Sequence, residues 1–404
     1  MKNFHVKPIG ILDMLEFKNM VPKRQKIIES APAVPLPKTY TVNETAAALH
    51  PDRQYMTVKS IIERGADSKS YVLEPNASAG TAKLAFFRAG QYLSLKLKIG
   101  DSILTRPYSI CSAPLDALDR NTYTITIKRA QDGFASGYLL ENLNVGDKIE
   151  TSGPEGTFFY DPIRDAKTVI GIAGGSGITP FYAMACAIAD GTEDFHLTLL
   201  YGSRTADGIL LKEEFDEIQK QTNMVKVVHV LSDEQAEGFE FGFITAELIA
   251  KYSPENEDFS VFMCGPQEMY EFVDKEIEHL SLPLKYVRHE LFGALKDPSK
   301  FADYPVDAMT KQFSVNVKMR DEERVITASG SEPVLVALER AGINAPSRCR
   351  SGECGWCHSR LISGQVYTPE TVDGRRAADY TFGYIHPCCA FPVSDLEIEI
   401  SVEN

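Results

Sequence analysis

From Gln54 onward, apolar and polar residues alternate in short runs at 55–62, 70–73, 91–97, 107–111 and 122–128, separated by Gly, Asp and Pro turns. A period of two puts one face of each run against a core, and closely spaced runs of this kind predict an antiparallel barrel. After Lys167 the rhythm changes, with apolar runs at 168–172, 196–201, 225–231, 259–263 and 284–291 alternating with helical stretches. That alternation predicts a parallel α/β sheet. A stretch with Pro298, Pro305, mixed charges and no periodicity reads as a linker. The last block opens with an alternating run at 313–319, turns at Asp321 and Glu322, and resumes through Val325 and Ile326. A helix over 332–340, a cysteine-bearing loop and a closing strand at 396–400 are expected to follow. Ahead of all this lies a segment with a helix expected over 9–20, a link through Pro32, Pro35 and Pro37, and the stretch 43–49. Two readings stay open for it, a strap packed on the main body or a partner-docking element. The expected divisions are 1–52, 53–162 (barrel), 163–292 (parallel sheet), 293–310 (linker) and 311–404.

Length supports this division, because 404 residues exceed one ordinary core and about 100–200 residues per domain is usual. A content of 44% hydrophobic and 24% charged residues excludes a disordered or fibrous chain. The net charge of −14 repels a phosphate backbone and so argues against nucleic acid, while favouring basic protein partners. The amino terminus lacks the pattern of a secretory signal, and a cytoplasmic location is expected. The 22 residues 168–189 carry no charge, a length that could suggest a membrane span. Gly174, Gly175, Gly177 and Pro180 in their middle instead predict a buried strand, a tight turn and a buried helix.

The cysteines change the picture most. Cys349, Cys354 and Cys357 form a C-x4-C-x2-C pattern, and Cys388 follows after 30 intervening residues. This is the plant-type ferredoxin spacing, in which four thiolates hold a 2Fe–2S cluster. A loop carrying three of them must bend tightly and turn N–H groups toward sulfur, a freedom that Gly352 and Gly355 supply. A structural zinc site is the competing reading, but it usually pairs C-x2-C knuckles or adds histidines, and His358 would break the tetrad. Cys388 and Cys389 are neighbours, so spacing alone leaves the fourth ligand open. Cys111, Cys186 and whichever of Cys388 and Cys389 is not a ligand are expected to be buried small hydrophobes.

Further motifs point to cofactors. Arg106-Pro107-Tyr108-Ser109 falls on a barrel strand, Gly133 with Ala135 and Ser136 opens a helix, and Gly174-Gly175-Ser176-Gly177 with Thr179 and Pro180 follows the first parallel strand. Glycines let a phosphate approach the backbone, and a helix start offers it free N–H groups. Pro180 occupies the position of the third glycine in the dinucleotide fingerprint, so this turn is a weak signal by itself. Cys264-Gly265-Pro266 with Met269 closes a later parallel strand, and Ser203 and Arg204 follow the second.

Together these segments resemble the ferredoxin–NADP reductase superfamily, in the phthalate dioxygenase reductase-like order with a C-terminal ferredoxin domain. The block Ile385-His-Pro-Cys388-Cys-Ala-Phe-Pro is similar to the ferredoxin ending, and that resemblance selects Cys388 as fourth ligand and implies a β-grasp fold. The resemblance further implies that Arg106 neutralises a flavin phosphate, Tyr108 covers the isoalloxazine and Ser109 bonds near N5. Pro107 and Lys128 are placed beside them, with Gly133, Ala135 and Ser136 at a second phosphate turn. FAD is expected in preference to FMN. Gly174 to Gly177, Thr179, Cys264, Gly265, Pro266 and Met269 would surround the nicotinamide, with Ser109, Thr179 and Cys264 setting the hydride geometry. Ser203 and Arg204 would meet the adenosine ribose, with NADH expected and NADPH left open. The segment His289-Glu-Leu-Phe-Gly293 resembles the junction of such chains, with Phe292 near the flavin.

The implied activity is electron transfer from NAD(P)H through flavin and cluster to a partner redox protein such as an oxygenase, desaturase or anaerobic reductase. A diaphorase-like flavin or quinone reductase and a redox-sensing subunit remain as alternatives.

Overall fold

The computed structural model describes residues 10–32, 39–131, 133–290, 293 and 295–401. Two units are distinct, Met1–Ala47 and Ala48–Asn404. In the first, helix α1 (Ile11–Glu29) runs through Pro22 and ends later than the expected 9–20, and helix α2 (Thr41–Leu49) follows. No residue of either helix is buried.

The second unit begins with six antiparallel strands, β1 (Gln54–Glu63), β2 (Ser68–Pro75), β3 (Tyr92–Ile99), β4 (Ser102–Ser109), β5 (Tyr123–Lys128) and β6 (Lys148–Thr151). Their order is β4-β3-β6-β1-β2-β5. The period of two is obeyed: Met56 and Val58, Tyr71 and Leu73, and Tyr123, Ile125 and Ile127 point into the core. The strand expected at 107–111 lies earlier, at Ser102–Ser109, and Pro107 fits there because β4 is an edge strand that can spare an N–H. After β6 the chain over 153–159 is irregular, with a bridge between Tyr92 and Glu155. Helices α3 (Pro114–Asp119) and α4 (Phe134–Asn142) complete this part.

A parallel sheet follows, built from β7 (Thr168–Gly174), β8 (His196–Ser203), β9 (Val225–Leu231), β10 (Glu240–Phe241), β11 (Phe259–Cys264) and β12 (Val287–His289). The order β10-β9-β8-β7-β11-β12 reverses direction between β7 and β11. Ligands of open α/β sheets bind beyond the carboxyl ends of the strands at such a reversal. Helices α5 (Thr179–Ala189), α6 (Lys212–Gln221), α7 (Ala246–Tyr252) and α8 (Gln267–Glu278) connect the strands. The charge-free stretch 168–189 is thus β7, a turn and α5, and most of its residues are buried. Among the described residues no helix is long and apolar enough to cross a membrane. The run expected at 284–291 shrinks to a short turn and the three residues of β12.

The third part has strands β13 (Gln312–Met319), β14 (Glu322–Ser329), helix α9 (Val334–Arg340), β15 (Ser359–Ser363), β16 (Val366–Tyr367), helix α10 (Ala377–Phe382), β17 (Tyr384–Ile385), β18 (Phe391–Pro392) and β19 (Leu396–Glu399). The main sheet runs β14-β13-β19-β15-β17, with β13 and β19 parallel, as a β-grasp requires. Val334, Leu335, Ala337 and Leu338 of α9 are buried.

One buried pin ties the barrel's last segment to the parallel sheet. Arg288 on β12 donates from Nε to Asp165 at 2.9 Å, its Nη2 lies 2.8 Å from the same carboxylate, and Nη1 donates to the Thr157 and Phe159 carbonyls at 2.8 Å each. Removing one partner of a buried ion pair strands the other charge, whereas removing both does not. Arg288→Met should therefore lower stability by about 3–5 kcal/mol in urea unfolding, and combining it with Asp165→Asn should recover much of that loss.

Candidate functional site

The cysteine loop leaves α9 and turns on left-handed backbone at Arg350 (φ 65°), Gly352 (φ 88°) and Gly355 (φ 69°). At residue 352 a Cβ would stand 2.1 Å from the Val372 carbonyl oxygen, so glycine is required there. The N–H groups of Ser351 and Cys354 point at Cys349 Sγ, at 3.5 and 3.4 Å, and that of Trp356 at Cys354 Sγ, at 3.5 Å. The four expected sulfurs meet in pairs, Cys349 with Cys354 and Cys357 with Cys388. The hydrogen bond from the Cys354 thiol holds the Cys349 thiol well below its ordinary value.

Among the described residues no group of three His, Cys, Asp or Glu side chains converges as one metal ion needs. A pairwise arrangement suits a two-iron cluster, in which each iron takes two protein sulfurs. His358 bonds Asp379 at 2.7 Å and stacks on Tyr384, away from a ligand role. The neighbouring thiol of Cys389 turns to the His386 carbonyl at 3.5 Å.

A cavity of about 610 Å³ opens at the reversal between β7 and β11. Ser109, Thr179 and Cys264, drawn from three elements, all line it. So do Pro107, Tyr108 and Lys128 of the barrel, the turn Gly174, Gly175, Ser176 and Gly177, and Gly265 with Pro266. The turn's glycines answer a steric demand: a Cβ at residue 177 would lie 1.9 Å from the Cys264 carbonyl oxygen, and one at 174 would meet Met269 Sδ at 2.8 Å. Gly175 has φ 53° and open space where a Cβ would stand, leaving backbone exposed to a ligand.

Several expected residues stand outside the cavity wall. Met269 packs behind it, against Gly174 and Gly265. Gly133, Ala135 and Ser136 lie on the turn beside lining residue Ala130, where the Ser136 hydroxyl accepts the Ala130 N–H at 3.0 Å and donates to the Gly133 carbonyl at 3.2 Å. Helix α4 begins at Phe134, directly after Gly133. Ser203 ends β8, and the Arg204 carbonyl accepts the Asp233 N–H at 3.0 Å. Arg106 turns from the cavity to Glu339 of α9, with Nη1 3.3 Å from both carboxylate oxygens. Burial, and then neighbouring Arg350, hold Arg106 below its usual value. Phe292 lies outside the described residues.

The wall also contains residues to which the sequence assigned no role. Tyr270 accepts the Gly265 N–H at 3.0 Å and donates to the Glu290 carbonyl at 2.6 Å, fixing the Cys264 loop. Burial, and then Glu290, push the Cys264 thiol up, so it is neutral at ordinary pH. From the cluster side come Arg350, Ser351, Val372 and Cys389, and from the expected linker Leu295, Lys296, Asp297, Lys300 and Phe301. Cys111 fits its expectation as a buried core thiol, Cys186 is half-buried, and Cys389 is buried yet faces this cavity.

Family models match in the expected order: an oxidoreductase FAD-binding domain at residues 56–160, an oxidoreductase NAD-binding domain at 172–275 and a 2Fe-2S iron-sulfur cluster binding domain at 317–393. Fold and site therefore define an oxidoreductase that uses NAD, FAD and a 2Fe–2S cluster. The chain is 30% identical over 328 residues to the ferredoxin reductase component of 3-ketosteroid-9-alpha-monooxygenase from Mycobacterium tuberculosis, spanning 79% of this chain and 86% of that protein. It is 28% identical over 329 residues to the glycine betaine monooxygenase reductase subunit of Chromohalobacter salexigens, spanning 78% and 88%. Phthalate dioxygenase reductase, a modular structure for electron transfer from pyridine nucleotides to 2Fe–2S, superposes with a TM-score of 0.61 at 26% identity, covering 87% of this chain and 98% of that one. The chain belongs to the ferredoxin reductase superfamily, among the members with a C-terminal plant-type 2Fe–2S domain in the phthalate dioxygenase reductase-like order.

The residues present suit these groups. Soft sulfur donors in pairs with N–H groups aimed at them suit the cluster. Two guanidiniums, Arg106 and Arg350, share the single carboxylate of Glu339, which leaves positive charge suited to a flavin phosphate.

Glu290 offers a pH test. Burial, and then Glu353 and Cys349, raise its carboxyl well above the ordinary range. The native state thus keeps a proton that the unfolded chain releases above about pH 4.3, and stability falls as pH rises from there toward the native value, by up to about 1.4 kcal/mol per pH unit. Glu290→Gln removes this loss. Urea midpoints from pH 5 to 8 should show the variant gaining on the parent as pH rises, and a constant difference would refute the assignment.

Proposed function

We propose that this chain is the reductase component of an oxygenase system, taking hydride from NADH and delivering single electrons to a separate oxygenase. The observation that carries this reading is that Ser109, Thr179, Cys264 and the cluster-loop residues Arg350 and Ser351 all open onto one cavity. The named relatives are reductases of monooxygenases, which supports an oxygenase rather than a desaturase or anaerobic reductase as partner. Bound FAD supplies the step from two-electron to one-electron chemistry.

The chain's own groups position and tune. Tyr108, Ser109 and Lys128 hold the flavin's ring end, while Arg106, Gly133, Ala135 and Ser136 hold its phosphates. The turn Gly174 to Gly177 takes the nicotinamide nucleotide, Thr179 and Cys264 orient its ring, and Ser203 and Arg204 meet the ribose. The neutral Cys264 thiol, fixed through Tyr270, keeps charge away from the hydride path. Cys349, Cys354, Cys357 and Cys388 hold the cluster. The working divisions are 53–162 for flavin, 163–292 for nicotinamide, 311–404 for the cluster and 293–310 between them, in a cytoplasmic protein.

The fourth ligand is tested by paired substitutions. Cys388→Ser should abolish the cluster's visible bands and its electron paramagnetic resonance signal, and Cys389→Ser should keep both. In the first variant NADH should still bleach the flavin, while cytochrome c reduction should fall at least about tenfold, a loss of about 1.4 kcal/mol or more in transition-state stabilisation. Undiminished cytochrome c reduction would instead favour a diaphorase that bypasses the cluster.

A further inference from the structure

Strand β4 is the edge of its sheet, paired with β3 alone among the described strands, so every second N–H along its outer side needs a partner from elsewhere. Helix α9 of the cluster-bearing part lies against it. Glu339 near the end of that helix is 5% exposed, too buried for water to solvate its carboxylate. Its Oε1 accepts the backbone N–H of Thr105 at 3.2 Å, and both oxygens lie 3.3 Å from Arg106 Nη1. The same Oε1 accepts from Arg350 Nη1. Thr105 and Arg106 belong to the flavin strand, whereas Arg350 directly follows Cys349 and lines the cavity on left-handed backbone. A second close approach accompanies this one, since a Cβ on Gly342, just beyond α9, would stand 2.7 Å from the Asp101 carbonyl oxygen at the start of β4.

We infer that Glu339 is a positioning residue for electron transfer between flavin and cluster: one carboxylate clamps the flavin strand, through Thr105 and Arg106, to the cluster loop, through Arg350, and so fixes the spacing of the two sites. The inference rests on the proposed path from flavin to cluster. Its chemistry is electrostatic and geometric. The half-buried guanidinium of Arg106 and the buried one of Arg350 repel without the carboxylate between them, and the cluster loop then keeps a more distant tie to the barrel side, through Arg348 with the Asp52 carbonyl at 2.9 Å and Glu155 at 3.3 Å. The hydride geometry rests on Ser109, Thr179 and Cys264, which lie outside the clamp, so that step is separable from it.

The experiment compares the parent holoenzyme with Glu339→Gln and Glu339→Asp, each loaded with FAD and cluster and mixed with NADH in an anaerobic stopped-flow instrument. Rates are normalised to bound flavin. The Gln variant, which keeps size and loses charge, should slow cluster reduction by about tenfold while flavin bleaching changes by less than about twofold. The Asp variant, which keeps the charge, should recover part of the cluster rate, and if Glu339→Gln prevents folding, the Asp variant decides by the same split. Hydrogen exchange of the Thr105 amide should rise by about tenfold in the Gln variant. Equal cluster rates with unchanged Thr105 exchange would overturn the clamp. Failure of the parent itself to reduce its cluster would sink the electron path instead, and Thr105 exchange would then judge the clamp alone.

Discussion

The Cys264 carbonyl oxygen lies 1.9 Å from where a Cβ on residue 177 would stand, and the rest of the site depends on that approach. It brings the ends of β7 and β11 together at the reversal of strand order, which sets Thr179 and Cys264 on one wall. Any side chain at residue 177 would push the two strand ends apart and open the place where a nicotinamide must lie. Tyr270 completes the arrangement by joining the Gly265 N–H to the Glu290 carbonyl, so the loop is held from both sides.

The three sheets and their order were legible because each carries its own period. Alternation at Met56, Val58, Tyr71 and Leu73 marks the barrel, and charge-free runs such as 168–172 mark strands buried on both faces. The misses have local causes. Strand β6 is four residues long and shows too little alternation to read, and β4 was displaced because Pro107 looked like a strand start when it is an edge residue. Helix α1 continues through Pro22, a residue that more often marks a helix end.

The site was legible where residues are contiguous, and not where the fold joins distant segments. The turn at Gly174, the Cys264 loop and the cysteine spacing are local patterns. Glu290 stood inside a quoted segment with no role, and Tyr270 directly follows Met269, yet both act through partners 20 residues apart in the chain. Arg106 is the sharpest difference, because its pairing with Glu339 spans 233 residues and no spacing rule reaches so far. The residues between the sheets had no periodicity to reveal that Leu295, Lys296 and Phe301 form wall.

That last feature bears on how such chains are recombined. A stretch that reads as a spacer supplies surface to the shared chamber, so the nucleotide-handling half is not a sealed cartridge. A chimera that grafts a foreign iron–sulfur module onto this scaffold keeps the chamber intact only when its crossover falls after Phe301, and an earlier splice exchanges part of the vessel along with the module.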